Sequence, residues 1–290
     1  MKIKKINILI VGSEGYIGSR LCKYLIEKNI SLETIDLENN LRLKNIRHTK
    51  DDFKNLKINY LKKFKYILVL ASHSSIAMCN NDPIRAIENN ILNTKELLHK
   101  INKTSAVPIF VSTTAIYNGS NTPSEEDNSK FTYNPNQLYD ISKYYIEKLL
   151  IRIFNKYFIL RLGTVSGYSP NTDKRLIVNK MYYNSINEKK INIVSGKSKK
   201  SLLFIDDFCR AIESIIKSKK IRYGMFNLNS INTTVEKVAK SISKINNTKI
   251  IYKKGINFYS FFTSNKKFSK YYNFKFSKKL SIIIKSFNKK

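Results

Sequence analysis

Short apolar runs alternate with helix-spaced apolar stripes along the first half of the chain. The runs are Ile6–Val11, Ser31–Asp36, Tyr66–Ala71, Val107–Ser112 and Tyr157–Leu162. Helical spacing covers Ser19–Ile26, Asp82–Lys100 and Leu138–Phe154, with Asp82-Pro83 as a start because Pro is tolerated in a first turn. A polar loop spans 118–136. Nearly unbroken apolar strands between helices predict a parallel sheet covered on both faces, an α/β doubly wound fold. Beyond Gly167 the pattern loosens. A helix is expected over 176–187, a strand over 191–194, a helix over 206–218 after the stretch 201–205, a strand over 224–228 and a helix over 235–245. The tail past Lys249 is basic and aromatic, with no clear period. No repeat or low-complexity linker breaks the chain, so its parts are expected to pack together.

The first strand runs into Gly12-Ser13-Glu14-Gly15-Tyr16-Ile17-Gly18 and then a helix. Glycines in that setting let the backbone turn tightly, approach a pyrophosphate and pack helix on strand. The helix N-terminus offers N–H groups and a positive dipole end to phosphate. The second strand ends in Asp36, where an acid hydrogen-bonds a ribose 2′-hydroxyl and repels a 2′-phosphate. That favours NAD over NADP. The spacing is GxxGxxG rather than GxGxxG, which points to one branch of dinucleotide enzymes.

At 290 residues the chain has room for one large domain or two closely joined ones. A net charge of +32 would suit nucleic acid, anionic membrane or acidic substrates. The lysines are spread along the chain, however, amid abundant Asn and Ile and with no Trp. We read the charge as codon bias of an AT-rich genome; no nucleic-acid-binding motif accompanies it. Cys22, Cys79 and Cys209 lie far apart, as free thiols of a reducing compartment do. No CxxC or His/Cys cluster is present, so no metal is expected. The Lys-rich start resembles a signal peptide, but its apolar run is short and serves better as the first strand. No run is long enough to span a membrane, which leaves the cytoplasm as the expected location.

Tyr139-Asp140-Ile141-Ser142-Lys143 is the second informative segment. Four apart on a helix, Tyr139 and Lys143 share a face. A phenol near pKa 10 is a poor base at neutral pH, but an ammonium and a nicotinamide cation both favour phenolate. Such a pair takes a proton from a hydroxyl or returns one to a carbonyl. Ser112-Thr113-Thr114 ends the preceding strand, where a hydroxyl would border the ligand crevice.

With these segments in order the chain resembles an extended short-chain dehydrogenase/reductase of the NAD-dependent epimerase/dehydratase family, which acts on nucleotide sugars. Matching stretches continue through Leu70–Ser75, Asn90, Thr113–Tyr117, Leu160–Thr164, Leu203–Asp207 and Phe226–Leu228. The resemblance implies a Rossmann domain over 1–165, with 201–228 returning to it, and a substrate lobe mainly over 166–290. It implies a catalytic triad of Thr113, Tyr139 and Lys143. It places Gly12, Gly15, Tyr16, Ile17, Gly18 and Asp36 on NAD, with Ala71, Asn90, Tyr139 and Lys143 near the nicotinamide half. For a nucleotide-diphosphate sugar it suggests Thr113, Thr164 (where the family has Asn), Asn179 and Lys200 (where the family has Arg, whose planar fork a lysine lacks). His73 is a further pocket candidate; His48 and His99 are read as surface residues. Homodimers through two helices, one carrying the Tyr139 motif, and a place in polysaccharide synthesis are family expectations.

Related dehydratases carry Asp-Glu after the catalytic Thr, and related decarboxylases carry Glu there. Here those positions are Thr114-Ala115. This leaves an NAD-dependent epimerase first. A keto-sugar nucleotide reductase consuming NADH or NADPH uses the same triad, and a non-catalytic dinucleotide-binding protein is the third reading.

Overall fold

The computed structural model describes residues 6–40, 46–118, 120, 123–126, 137–255 and 259–288. The first half runs β1 (Ile6–Val11), α1 (Tyr16–Glu27), β2 (Leu32–Asp36), β3 (Arg47–Lys50), α2 (Ile58–Leu61) and β4 (Phe64–Val69). Next come α3 (Ile76–Asn81), α4 (Pro83–Ile87), α5 (Thr94–Asn102), β5 (Val107–Thr113), α6 (Leu138–Ile153) and β6 (Phe158–Leu162). The second half runs β7 (Thr164–Ser166), α7 (Ile177–Asn187), β8 (Lys190–Val194), β9 (Lys199–Phe204), α8 (Ile205–Lys217) and β10 (Gly224–Leu228). It closes with β11 (Ile231–Thr234), α9 (Val235–Asn246), β12 (Lys249–Lys253), α10 (Lys266–Tyr272) and α11 (Leu280–Ser286).

Seven parallel strands form the main sheet in the order β10-β6-β5-β4-β1-β2-β3. Successive side chains of a strand point to opposite faces. Ile8 and Ile10 accordingly join Leu21 and Leu25 of α1 and Phe208 of α8 on one face. Leu9 and Val11 join Leu97 and Leu98 of α5 and Ile146 of α6 on the other. This is the double winding that the apolar runs predict. Pro108 sits inside β5, but the ladder to β6 begins one residue later, at Ile109↔Phe158, so the missing N–H breaks no pairing there.

A three-stranded sheet, β11-β9-β7, and a two-stranded one, β12-β8, make up the smaller layer. Within the expected 201–228 return, β10 joins the main sheet beside β6, whereas Ser201–Phe204 belong to β9 in the smaller sheet. The helix expected over 82–100 is divided: α4 and α5 flank a π-helical stretch, Glu88–Asn93. The expected loop over 118–136 lies largely outside the described residues.

The tail is ordered by its aromatic side chains. Phe268 of α10 stands edge-on to Phe226 of β10 at 5.6 Å and stacks on Tyr272 at 4.7 Å. Phe274 meets Phe268 at 5.3 Å. The start of the tail thus packs through α10 against β10, the edge strand of the sheet.

Candidate active site

Parallel strands end together, and the crevice of a doubly wound sheet lies beyond their carboxyl ends. Here that crevice is a cleft of about 960 Å³. Gly12, Gly15, Tyr16, Ile17, Gly18, Asp36, Ala71, Thr113, Tyr139, Lys143, Thr164 and Lys200 all line it. These are most of the residues singled out from the sequence. Asn90 and Asn179 are not among its walls.

The glycines divide by role. Gly12 has φ +94°, and a Cβ there would lie 2.5 Å from the Ala71 nitrogen. A Cβ on Gly18 would lie 2.1 Å from the Gly12 carbonyl oxygen. Both are required by the protein's own packing. At Gly15 the nearest atom to such a Cβ is 3.7 Å away, so the space beside it is open. Gly15 caps α1 without any side-chain hydrogen bond, which leaves the first N–H groups of the helix for an anion. The turn is fixed to the end of β2: the Glu14 N–H donates to Asp36 Oδ2 at 2.9 Å. Glu14 Oε2 in turn accepts the Asn40 N–H at 3.0 Å.

A strap from the smaller layer crosses this turn. Tyr16 donates its hydroxyl to the Gly167 carbonyl at 2.8 Å, and Ser169 Oγ donates to the Tyr16 carbonyl at 2.7 Å. Asn171 Nδ2 donates to the Glu14 carbonyl at 2.7 Å. Burial pushes the Tyr16 phenol well above its ordinary value. Asn179 shapes the strap. It is fully buried, accepts the Gly167 N–H through Oδ1 at 3.3 Å and donates Nδ2 to the Asp173 carbonyl at 2.9 Å. Both ends of its amide are engaged on the strap's backbone.

Asn90 is likewise held by backbone groups. It is 4% exposed; its Oδ1 accepts the His73 N–H at 2.7 Å, and Nδ2 donates to the His73 carbonyl at 3.1 Å and Ser142 Oγ at 3.3 Å. It sits in the π-helical stretch and ties the loop after β4 to α6. His73 itself lines the cleft, with a buried Nδ1 that has no partner. His48 is half-buried rather than on the surface: it pairs Thr34 Oγ1 at 2.9 Å and the Glu38 carbonyl at 2.8 Å.

Tyr139 and Lys143 rise from the first turns of α6, and Thr113 ends β5. Thr113 Oγ1 accepts the Ala115 N–H at 3.1 Å, and its hydroxyl lies on the Tyr139 side of the cleft, where it favours the phenolate. Lys143 Nζ donates to the Val111 carbonyl at 3.1 Å and to Ser72 Oγ at 3.2 Å, and lies 6.0 Å from the Tyr139 ring centroid. Burial lowers the Lys143 ammonium to about 8. The Tyr139 phenol is pushed well above its ordinary value, by burial first and the Asp140 charge second; the Thr113 hydroxyl acts the other way. Lys143 alone therefore does not bring the phenol into the neutral range. Lys200 is 9% exposed, donates to the Tyr259 carbonyl at 2.7 Å, and is lowered to about 8 by burial.

Beneath Thr113 lies a buried polar network that sequence reading did not single out. Arg161 of β6 holds Glu147 of α6 with two bonds, Nε–Oε1 at 2.9 Å and NH2–Oε2 at 2.6 Å. Ser112 Oγ donates to Glu147 Oε1 at 2.5 Å, and Tyr117 links Arg161 to Asn227 of β10. The network joins β5, β6, β10 and α6 under the site. A signal existed: Arg161 is a charge inside an apolar strand, and such a charge needs a partner.

The sequence profile of the NAD dependent epimerase/dehydratase family matches residues 8–228, and the chain belongs to that family. Among curated proteins it is similar to the dTDP-D-glucose 4,6-dehydratase of Dictyostelium discoideum, 27% identical over 278 residues, covering 82% of this chain and 62% of that one. The chain thus spans less than two thirds of that relative's length. Among solved structures it is similar in fold to the UDP-glucuronic acid 4-epimerase from Bacillus cereus in complex with UDP-glucuronic acid and NAD, with a TM-score of 0.84 at 19% identity and 97% of each chain covered. It is similarly close to the UDP-glucose 4-epimerase from Thermotoga maritima, with a TM-score of 0.82 at 22% identity, covering 98% of this chain and 99% of that one. TunA, an NAD dependent NDP-hexosamine 5,6-dehydratase, gives a TM-score of 0.86 at 17% identity, covering 98% and 96%.

NAD is the cofactor of the family, and the Bacillus cereus enzyme was solved with it. The open space beside Gly15, the uncapped start of α1 and the carboxylate of Asp36 fit a pyrophosphate followed by a ribose.

Proposed function

We propose that this chain is a nucleotide-sugar epimerase that works through a transient keto sugar, with Tyr139 as its acid and base. One observation carries the reading. Thr113, Tyr139 and Lys143 meet in one cleft above the glycine turn, while the two residues after Thr113 bring no carboxylate. Thr114 donates its hydroxyl to the Leu162 carbonyl at 3.1 Å, and Ala115 has none. Elimination of water needs an acid for the leaving hydroxyl as well as a base. The dehydratase activity of the Dictyostelium relative is therefore not carried over.

NAD, held at the glycine turn and Asp36, would supply a reversible hydride acceptor. Tyr139 removes the proton of the sugar hydroxyl as the carbon is oxidised, and returns it once the keto sugar has presented its other face. Thr113 borders the phenol from the end of β5. Lys143, fixed on Val111 and Ser72, brings positive charge to 6.0 Å from the ring centroid and favours the phenolate. We assign Lys200 to the diphosphate and Thr164 to the sugar side of the cleft. Residues 1–165, joined by α8 and β10 of the 201–228 return, serve the dinucleotide, and the rest of 166–290 mainly the sugar. Cys22, Cys79 and Cys209 are free and buried, in keeping with a cytoplasmic setting.

A reductase on this scaffold would oxidise one NADH or NADPH per turnover, whereas the epimerase leaves the cofactor unchanged. Loss of NADH absorbance in step with product would replace the epimerase reading by the reductase.

The pH profile has a stated direction. A lysine held near 8 is a cation below that pH and loses its charge as pH rises through it. The rate is therefore expected to fall on the alkaline side near pH 8, not near the ordinary lysine value. Lys200 is lowered alike, so Lys200→Arg, which keeps its charge, should retain the Lys143 limb. A rate in Lys200→Arg that stays level well above pH 8 would show that Lys143 charge is not needed.

We also propose a homodimer. Ile84, Leu92, Ile141 and Tyr145, on the helices from α4 to α6, expose apolar side chains on neighbouring elements. Sedimentation of the purified protein should give twice the chain mass, and Ile141→Glu should halve it; a monomer in both cases contradicts the proposal.

A further inference from the structure

The base is followed by an acid that no step above uses. Asp140 lies in the first turn of α6 and is 2% exposed. The positive end of a helix suits an acid there, but that does not account for its burial. Its Oδ2 accepts a hydrogen bond of 2.6 Å from the Tyr259 hydroxyl, 119 residues further along the chain. Its Oδ1 is buried and has no partner. A buried carboxylate with half its acceptor capacity unmet is costly, and such groups cluster at sites of chemistry.

Tyr259 is placed for more than filling space. It lines the cleft, and its own carbonyl accepts Lys200 Nζ at 2.7 Å. The segment is pinned further by the Ser260 N–H donating to Asn118 Oδ1 at 3.1 Å and by the Thr263 N–H donating to Ser201 Oγ at 2.9 Å. The tyrosine is thus held from the smaller layer and reaches across the cleft to the helix that carries the base.

We propose that Tyr259 and Asp140 form a positioning pair: Tyr259 holds the Asp140 carboxylate charged beside Tyr139, and that charge sets the pH at which the Tyr139 phenol yields its proton. The inference rests on Tyr139 being the base. The titratable and polar groups within electrostatic reach of the phenol are Asp140, next to it on α6, Lys143 one turn on, Thr113 at the end of β5 and Cys79 of α3. Asp140 opposes phenolate; Thr113 and Lys143 favour it; Cys79 opposes it as a thiolate but is held as a thiol by burial. The Tyr259 hydroxyl lowers the Asp140 carboxyl, which burial raises. Remove the hydroxyl and Asp140 takes up a proton at higher pH. Remove the Asp140 charge and the Tyr139 phenol ionises at lower pH.

The test is a carbon-13 NMR titration of the full chain with NAD bound, labelled at tyrosine Cζ and aspartate Cγ. Tyr139→Phe and Asp140→Asn assign the two signals. In Tyr259→Phe the Asp140 midpoint should move to higher pH. In Asp140→Asn the Tyr139 midpoint should move down by about one pH unit, with NAD affinity unchanged. A merely structural bond would change stability but not the Tyr139 midpoint. An Asp140 midpoint unmoved in Tyr259→Phe, or the same Tyr139 signal in Asp140→Asn and wild type across the whole range, overturns the proposal. Should Asp140→Asn not fold, the Asp140 midpoint in Tyr259→Phe decides alone. The titrations are repeated without NAD, so a failure to bind NAD strikes the functional reading while the pair is still judged.

Discussion

Tyr139→Phe should turn over at about a thousandth of the wild-type rate and still bind NAD. The size follows from the role: a positioned acid–base group contributes about 10²–10⁴-fold. The substitution keeps the ring, which lines the cleft, and removes only the hydroxyl. Lys143 should stay where it is, because its partners are the Val111 carbonyl and Ser72 Oγ, neither of which passes through the tyrosine oxygen. The glycine turn and Asp36 lie on other elements and are untouched. Initial rates and a calorimetric NAD titration on the same preparation check both halves. Turnover close to wild type would remove Tyr139 from the reaction, and loss of NAD binding together with activity would mean that the site had collapsed.

Glu147→Ala should cost about 3–5 kcal/mol of stability, a fall in Tm of about 10 °C. Glu147 and Arg161 have side chains 1% and 7% exposed, so truncating the acid leaves a guanidinium buried beneath the site without its counter-charge. The Ser112 hydroxyl loses its acceptor in the same step. The pair also raises the Arg161 guanidinium above its ordinary value against the effect of burial, and Arg161 remains a cation at any working pH. Contrast the exposed pair Lys240–Glu236 on α9, whose removal should leave Tm within error because water and salt already screen it. Differential scanning calorimetry of both variants decides. A Glu147→Ala protein that melts with wild type would mean the network is not holding β5, β6 and α6 together.

Much of the fold is legible because β1, β4, β5 and β6 are buried on both faces, and burial on both faces writes an unbroken apolar run. β3 escapes notice for the opposite reason. Its sequence, Arg47-His48-Thr49-Lys50, is that of an exposed sheet edge, where the backbone pairs with β2 and side chains need not be apolar. The π-helical stretch escapes a search for helical period because it is only six residues long and lies between two short helices. The tail shows no period because its helices are seven residues long; α10 is held by ring contacts to Phe226, and Phe287 at the end of α11 stacks on Tyr182 of α7.

The site divides in the same way. The glycines, Asp36, Tyr139 and Lys143 sit at spacings dictated by one turn or one helix, and they can be read locally. Asn90 and Asn179 occupy family positions, but whether an amide faces a ligand or braces a backbone depends on the fold around it. Both amides are engaged on backbone groups. Tyr259 could not be found at all, since it meets Asp140 only after the whole chain has closed on itself.

The central claim is a sugar inverted at constant cofactor. Proton NMR of a panel of nucleoside-diphosphate sugars, each incubated with the purified protein and catalytic NAD, tests it directly. A new isomer should accumulate to an equilibrium ratio, with NAD unchanged and with Tyr139→Phe inactive on the same sugar. A dehydrated or decarboxylated product, or conversion that halts once the cofactor is exhausted, would contradict the account.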